Sequence, residues 1–171
     1  RDYPEAEGSF SSVHRLNGRR FILNTQTLTG SLNSNITLAK GLVLKSIVGT
    51  NVITQENNQS TTRTLDLGGQ GNASVNNRKE SFWSFENFLT YNKQAGRHSF
   101  NGLMGLSWQE TNIFGIGANV RTFATDYFGF NNLGAAAILG GIGSFGEREA
   151  LNSYFGRLNY SLDEKYLFTL T

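Results

Sequence analysis

The sequence predicts an all-β chain, an antiparallel meander of about six long strands. Three features predict it: apolar and polar residues alternate with period two over most of the chain, short and long connections follow one another in strict turn, and the composition favours strands over helices. Among 171 residues there are 20 Gly, 13 Phe and 6 Tyr but a single Pro, and only 16% are charged. Blocks of Ala, Glu, Lys and Leu that mark helical proteins are scarce.

Residues 1–18, with Pro4, Gly8 and several Ser, show no sustained period and read as the end of a loop. A strand is predicted over 20–38, with Leu28, Leu32, Ile36 and Leu38 on one side and Thr27, Thr29, Asn33 and Asn35 on the other. After the turn Ala39-Lys40-Gly41 a return strand over 42–55 carries Leu42, Leu44, Val48 and Val52 on one side. Joining Leu38 to Leu42 merges the two apolar rows into one face. The stretch 55–80 is almost entirely polar and reads as a long loop, with a short local strand at 65–69.

Alternation resumes over 81–93, where Trp83, Phe85, Asn87, Leu89 and Tyr91 share a side against Ser84, Glu86 and Phe88. A turn about Ala95-Gly96 leads to a strand over 97–111, with His98, Phe100, Met104, Leu106 and Trp108 on one side and Ser99, Asn101, Gly105, Ser107 and Gln109 on the other. A symmetric turn sets Trp83 opposite Trp108 and Tyr91 opposite Phe100. Eight residues of tilted strand separate these two aromatic levels by roughly 20 Å, near the apolar height of an outer-membrane barrel. Residues 112–150 read as a third long loop, Gly/Ala-rich over 134–146, with helix or turn structure between Asp126 and Leu139.

The last two strands are predicted at 151–161 and 165–171 around a turn at Leu162-Asp163-Glu164, pairing Tyr160 with Tyr166 and Leu158 with Phe168. Long loops at one end and tight turns at the other suit a membrane barrel, whereas aromatic rows also suit a β-sandwich core. Two architectures therefore remain open on these residues alone: a barrel wall with Leu28, Leu32, Leu44, Val48, Phe85, Leu106, Leu158 and Phe168 facing lipid, and a soluble or surface-exposed sandwich binding module, such as an adhesin or carbohydrate-binding domain.

Motifs for chemistry are sparse. Gly141 to Gly146 matches G-x-G-x-x-G, but no βαβ unit surrounds it, so it reads as a flexible outer loop and not a nucleotide site. His14 and His98 are the only histidines and lie far apart, and Cys is absent, so no catalytic, cofactor-binding or metal site is expected. A formal net charge of +2 without a run of Lys or Arg gives no reason to expect nucleic acid. No apolar run reaches the length of a membrane-spanning helix, which leaves barrel strands untouched because half their residues are polar.

The run Ser153-Tyr154-Phe155-Gly156-Arg157-Leu158-Asn159-Tyr160, followed by the acidic turn and Lys165-Tyr166-Leu167-Phe168-Thr169, resembles a late-barrel segment of SusC/RagA-type TonB-dependent outer-membrane transporters. Gly41 to Ser46, Phe88 to Lys93, His98-Ser99-Phe100, Gly105 and Gln109 resemble the same family. The resemblance implies a chain that forms part of a large transmembrane β-barrel, a partial barrel domain over 1–171 with neither plug nor TonB box. It implies import of an oligosaccharide, peptide or similar nutrient across a Bacteroidetes-type outer membrane, with no enzymatic step and no cofactor. The implied partners are a SusD-like surface lipoprotein, the TonB complex reached through an N-terminal region outside this sequence, outer-membrane lipid, and the glycan or peptide substrate. Lys45, Glu86, Arg157 and Asn159, on the polar rows, would face the lumen.

Overall fold

The computed structural model describes residues 12–66 and 68–171, with only the backbone of 12–14. Its elements are a short helix α1 (Ser12–Gly18) and the strands β1 (Arg19–Ala39), β2 (Leu42–Thr61), β3 (Asn72–Ala95), β4 (His98–Phe123), β5 (Ala136–Leu162) and β6 (Tyr166–Leu170). They form one six-stranded antiparallel sheet in sequence order, the expected meander without crossovers. Among the described residues there is no second sheet to pack against it, so the sandwich is not favoured.

Strand length departs most from the sequence reading. β2 to β5 run for 20, 24, 26 and 27 residues, about twice the ~9–11 needed to cross a bilayer. The expected long loops at 55–80 and 112–150 are therefore mostly strand, and the true connections are 62–71 and 124–135. The cause is the backbone. Once neighbouring strands lie side by side, the ladder satisfies N–H and C=O groups whatever the side chains, so even runs as polar as 55–61 and 72–80, or as glycine-rich as 140–146, stay extended. Short and long connections still alternate.

Smaller corrections follow from local geometry. Residues 12–18, expected as loop, are helical, and 1–11 of that stretch lie outside the described residues. The strand expected at 65–69 is a turn: the Leu65 and Asp66 amides donate to Thr62 O, and the Asp66 carboxylate accepts from the Gln70 and Gly71 amides at 3.3 and 3.0 Å; Leu67 is not described. The turn structure expected between 126 and 139 consists of 3-10 turns at Gly129–Asn131 and Leu133–Ala135, after which β5 begins. Gly141 to Gly146 lies inside β5 and not in a loop, and an extended strand cannot present the amide cradle of a phosphate site.

The final hairpin is shifted by two residues. Leu158 pairs with Leu170, Tyr160 with Phe168 and Leu162 with Tyr166, where Tyr160–Tyr166 and Leu158–Phe168 were expected. Asp163 and Glu164 adopt φ of 52° and 58°, and the Lys165 amide closes on Leu162 O, so the turn is Asp163-Glu164-Lys165. A shift of two keeps every side chain on its face, so the apolar row survives the error.

The chain divides into two compact units, and β1 to β5 contribute to both. One comprises 27–52, 80–112 and 147–171 and holds the tight turns. Its turns are cross-linked: the Asn92 amide donates to Gly41 O at 2.7 Å, the Asp163 amide to Arg97 O at 2.9 Å, and the Arg97 guanidinium pairs with the Asp163 carboxylate, which holds the pKa of Arg97 above its usual value. Gly41, at φ 81°, sits where a Cβ would strike Asn92 O.

The other unit comprises 1–26, 53–79 and 113–146. Its small core is Ala73, Val120, Phe123 and Phe130, with Val75, Leu133, Ala135 and Ala136 packed on it. Arg20 lies over the Phe130 ring at 4.7 Å, and Arg63 meets Asp126 through its amide (2.9 Å) and guanidinium (3.5 Å), tying the two long connections together. Thr122 holds φ 68°, a strained value for a β-branched residue, while its amide donates to Gly71 O and its hydroxyl to Gln70 Oε1 at 2.8 Å. We expect Thr122→Val, which keeps the strain and loses the hydroxyl bond, to cost about 1 kcal/mol, and Thr122→Gly, which relieves strain as it loses the bond, to be close to neutral. Denaturant unfolding of the full-length protein checks the ordering, and a Gly variant less stable than the Val variant would show that Thr122 is not strained.

Candidate functional site

The unit with the tight turns has two chemically distinct faces. On one, large apolar side chains stand exposed: Leu28 68%, Leu32 71%, Met104 68% and Phe168 65%, with Val48, Phe85, Leu106 and Leu158 also exposed and Leu44 half-buried. Such a surface has no place on a soluble monomer and suits acyl chains. Ser46 and Asn87 interrupt it. The Ser46 hydroxyl donates to Asn87 Oδ1 at 2.6 Å, so these two polar groups satisfy one another on the apolar face.

Aromatic rings bound this surface. Trp83 and Trp108 meet at 5.5 Å as expected. The second level is built differently: Phe100 packs on Tyr160 at 4.9 Å and Tyr160 stacks with Phe168 at 6.2 Å, while the Tyr160 hydroxyl and His98 Nδ1 lie 2.7 Å apart. Sequence reasoning paired Phe100 with Tyr91 within one hairpin and missed the longer-range partner Tyr160. Amphipathic rings at two levels are what membrane interfaces select. His98 thus has a structural partner, and the side chain of His14 lies outside the described residues.

The opposite face of this unit is polar. A ladder of side-chain hydrogen bonds crosses four strands, with the Thr169 hydroxyl donating to Asn159 Oδ1 (3.0 Å), the Asn159 amide to Asn101 Oδ1 (3.0 Å), and the Asn101 amide to Asn92 Oδ1. Asn159, expected as a lumen contact, is therefore a link in the wall. Lys45 and Arg157 stay exposed on this face and Glu86 is half-buried. Phe155 fills the space over Gly105, where a Cβ would collide with its ring, and meets Phe88 at 5.8 Å.

In the other unit the same alternate positions line a cavity of about 600 Å³. Gln55 and Asn57 of β2, Asn76 of β3, Asn119 of β4 and Phe145 of β5 surround it. Sequence reasoning assigned these residues to loops and so proposed none of them. Their signal was the i, i+2 spacing of Gln55 and Asn57, of Gly115, Gly117 and Asn119, and of Gly141, Gly143 and Phe145. Among the described residues no cluster of His, Asp or Glu is placed to hold a metal ion, and no helix is long and apolar enough to cross a membrane, which says nothing about strands.

No protein-family model matches the chain. "TonB-dependent receptor P3" of Formosa agariphila is 35% identical over 136 residues, covering 77% of this chain and 13% of the relative. "TonB-dependent receptor P39" of the same organism is 32% identical over 139 residues, covering 79% and 13%. The chain thus spans about an eighth of the length of these relatives. Among solved structures, the RagAB peptide transporter superposes with a TM-score of 0.82 at 22% identity, covering 91% of this chain and 18% of that one. The same RagAB importer in its "open-open" state gives 0.80. The meander, the apolar and polar faces bounded by aromatic levels and these sequence relatives agree: the chain belongs to the TonB-dependent receptors, corresponds to a segment of their barrel, and shares its fold with the RagAB transporter.

Proposed function

We propose that this chain is a piece of barrel wall in an outer-membrane nutrient importer energised through the TonB complex. The observation that carries the reading is the pairing, in one sheet, of an exposed apolar face bounded by aromatic levels with a polar face joined across strands by amide hydrogen bonds. A wall of this kind separates lipid from a hydrated lumen and leaves no need for a catalytic group. The apolar face meets outer-membrane lipid. The imported class is a glycan, a peptide or a similar nutrient, and a SusD-like surface lipoprotein is the partner that the SusC/RagA type brings with it.

The test uses the full-length protein in its source cells. It should pellet with outer membranes, require detergent for release, and support uptake that stops when the proton-motive force is collapsed. Recovery as a soluble protein without detergent, or uptake indifferent to the proton-motive force, would refute the reading.

A further inference from the structure

The cavity in the unit formed by 1–26, 53–79 and 113–146 has an unusual floor. A Cβ on Gly117 would strike the Asn76 side chain, and one on Gly115 would strike the ring of Phe145. Each glycine therefore lets a side chain from the next strand lie across it instead of standing away from the sheet. The result is a shelf. Phe145 lies with its ring against Gly115 yet remains 51% exposed, and the carboxamides of Gln55, Asn57, Asn76 and Asn119 edge the same cavity. Asn57 Oδ1 is buried without a hydrogen-bond partner, an acceptor whose desolvation is recovered if a small rotation brings it to a donor. A Cβ on Gly143 would meet nothing within 4 Å, so a ligand can approach the backbone there.

We propose that this shelf is a contact site for a neutral oligosaccharide passing along the barrel wall, an inference that rests on the importer reading above. Each carboxamide offers donors and an acceptor together, the combination that neighbouring sugar hydroxyls require. The exposed face of a phenyl ring suits the C–H face of a pyranose, as it suits other flat, weakly polar surfaces. Charge separates a glycan from a peptide. The cavity is lined by no Asp or Glu, so a peptide's ammonium groups find no counter-ion, and its one charged lining residue, Arg78, is already engaged by a neighbour.

The experiment uses the full-length transporter, purified in detergent and titrated calorimetrically with neutral hexasaccharides of glucose, mannose, galactose and xylose and, separately, with a pool of tryptic peptides. At least one hexasaccharide should bind. Phe145→Ala and Asn76→Ala should each weaken that binding about 5- to 10-fold, while Phe145→Tyr, which keeps the ring, should retain it. Heat-modifiable gel mobility, measured for every variant, reports barrel assembly. Saccharide binding that survives both alanine variants overturns the site, as does peptide binding that falls with Phe145→Ala. Failure of Phe145→Ala and Asn76→Ala alike to assemble overturns it too, because the shelf would then be covered by another part of the protein. Uptake that fails the proton-motive-force test condemns the importer reading itself, whereas normal uptake with unaffected alanine variants condemns only the shelf.

Discussion

Met104→Arg should destabilise the full-length barrel by about 2–4 kcal/mol, whereas Ser107→Arg should cost less than about 1 kcal/mol. Met104 lies on β4 midway between Phe100 and Trp108, and is 68% exposed on the face that carries Leu106 and Leu158. A guanidinium placed there meets hydrocarbon at its deepest point, with neither interface within easy reach of its stem. Ser107 belongs to the opposite row with Asn101, Gly105 and Gln109, where water and amides receive a charge. Equilibrium unfolding of both variants from phospholipid vesicles measures the difference. Equal costs at the two positions would mean that the apolar face does not meet lipid.

Cysteines at Asn72 and Tyr127 should react on intact cells with a thiol reagent that cannot cross the outer membrane, and one at Gln94 should not react until the cells are opened. Asn72 begins β3 beside the 62–71 connection, and Tyr127 lies in the 124–135 connection with 87% of its surface exposed. Gln94 is next to the turn at Gly96, the kind of tight connection that barrels keep on the periplasmic side. Ser144, a natural choice if 112–150 were a loop, lies within β5. The expected contrast is all or none. Labelling at Gln94 with protection at Asn72 and Tyr127 would invert the orientation and remove the shelf from any path of substrate entering from outside.

Thr122 and the shelf show why some of the molecule was hard to read from its sequence. A threonine within a polar run carries no local sign that its backbone will be held at φ 68° by the turn at Gln70 and Gly71, which is 51 residues away at the nearer of the two. The Gly115 and Phe145 pairing likewise joins residues of different strands. Each position alone reads as a flexible glycine or an isolated aromatic.

The sequence by itself determined the strand order, which connections are tight, and which side chains share the apolar face, because these follow from period-two alternation and from turn residues such as Gly41 and Gly96. Only the tertiary structure decided how far the strands run, that 55–61, 72–80, 112–123 and 136–150 are ladder and not loop, and that the last hairpin pairs Tyr160 with Phe168. The physical reason is common to all three. Alternation records the contrast between lipid and water on the two sides of a strand and fades in polar or glycine-rich runs such as 55–61, 72–80 and 140–146, whereas strand length and register depend on backbone hydrogen bonds to a neighbouring strand, which leave no mark on side-chain polarity.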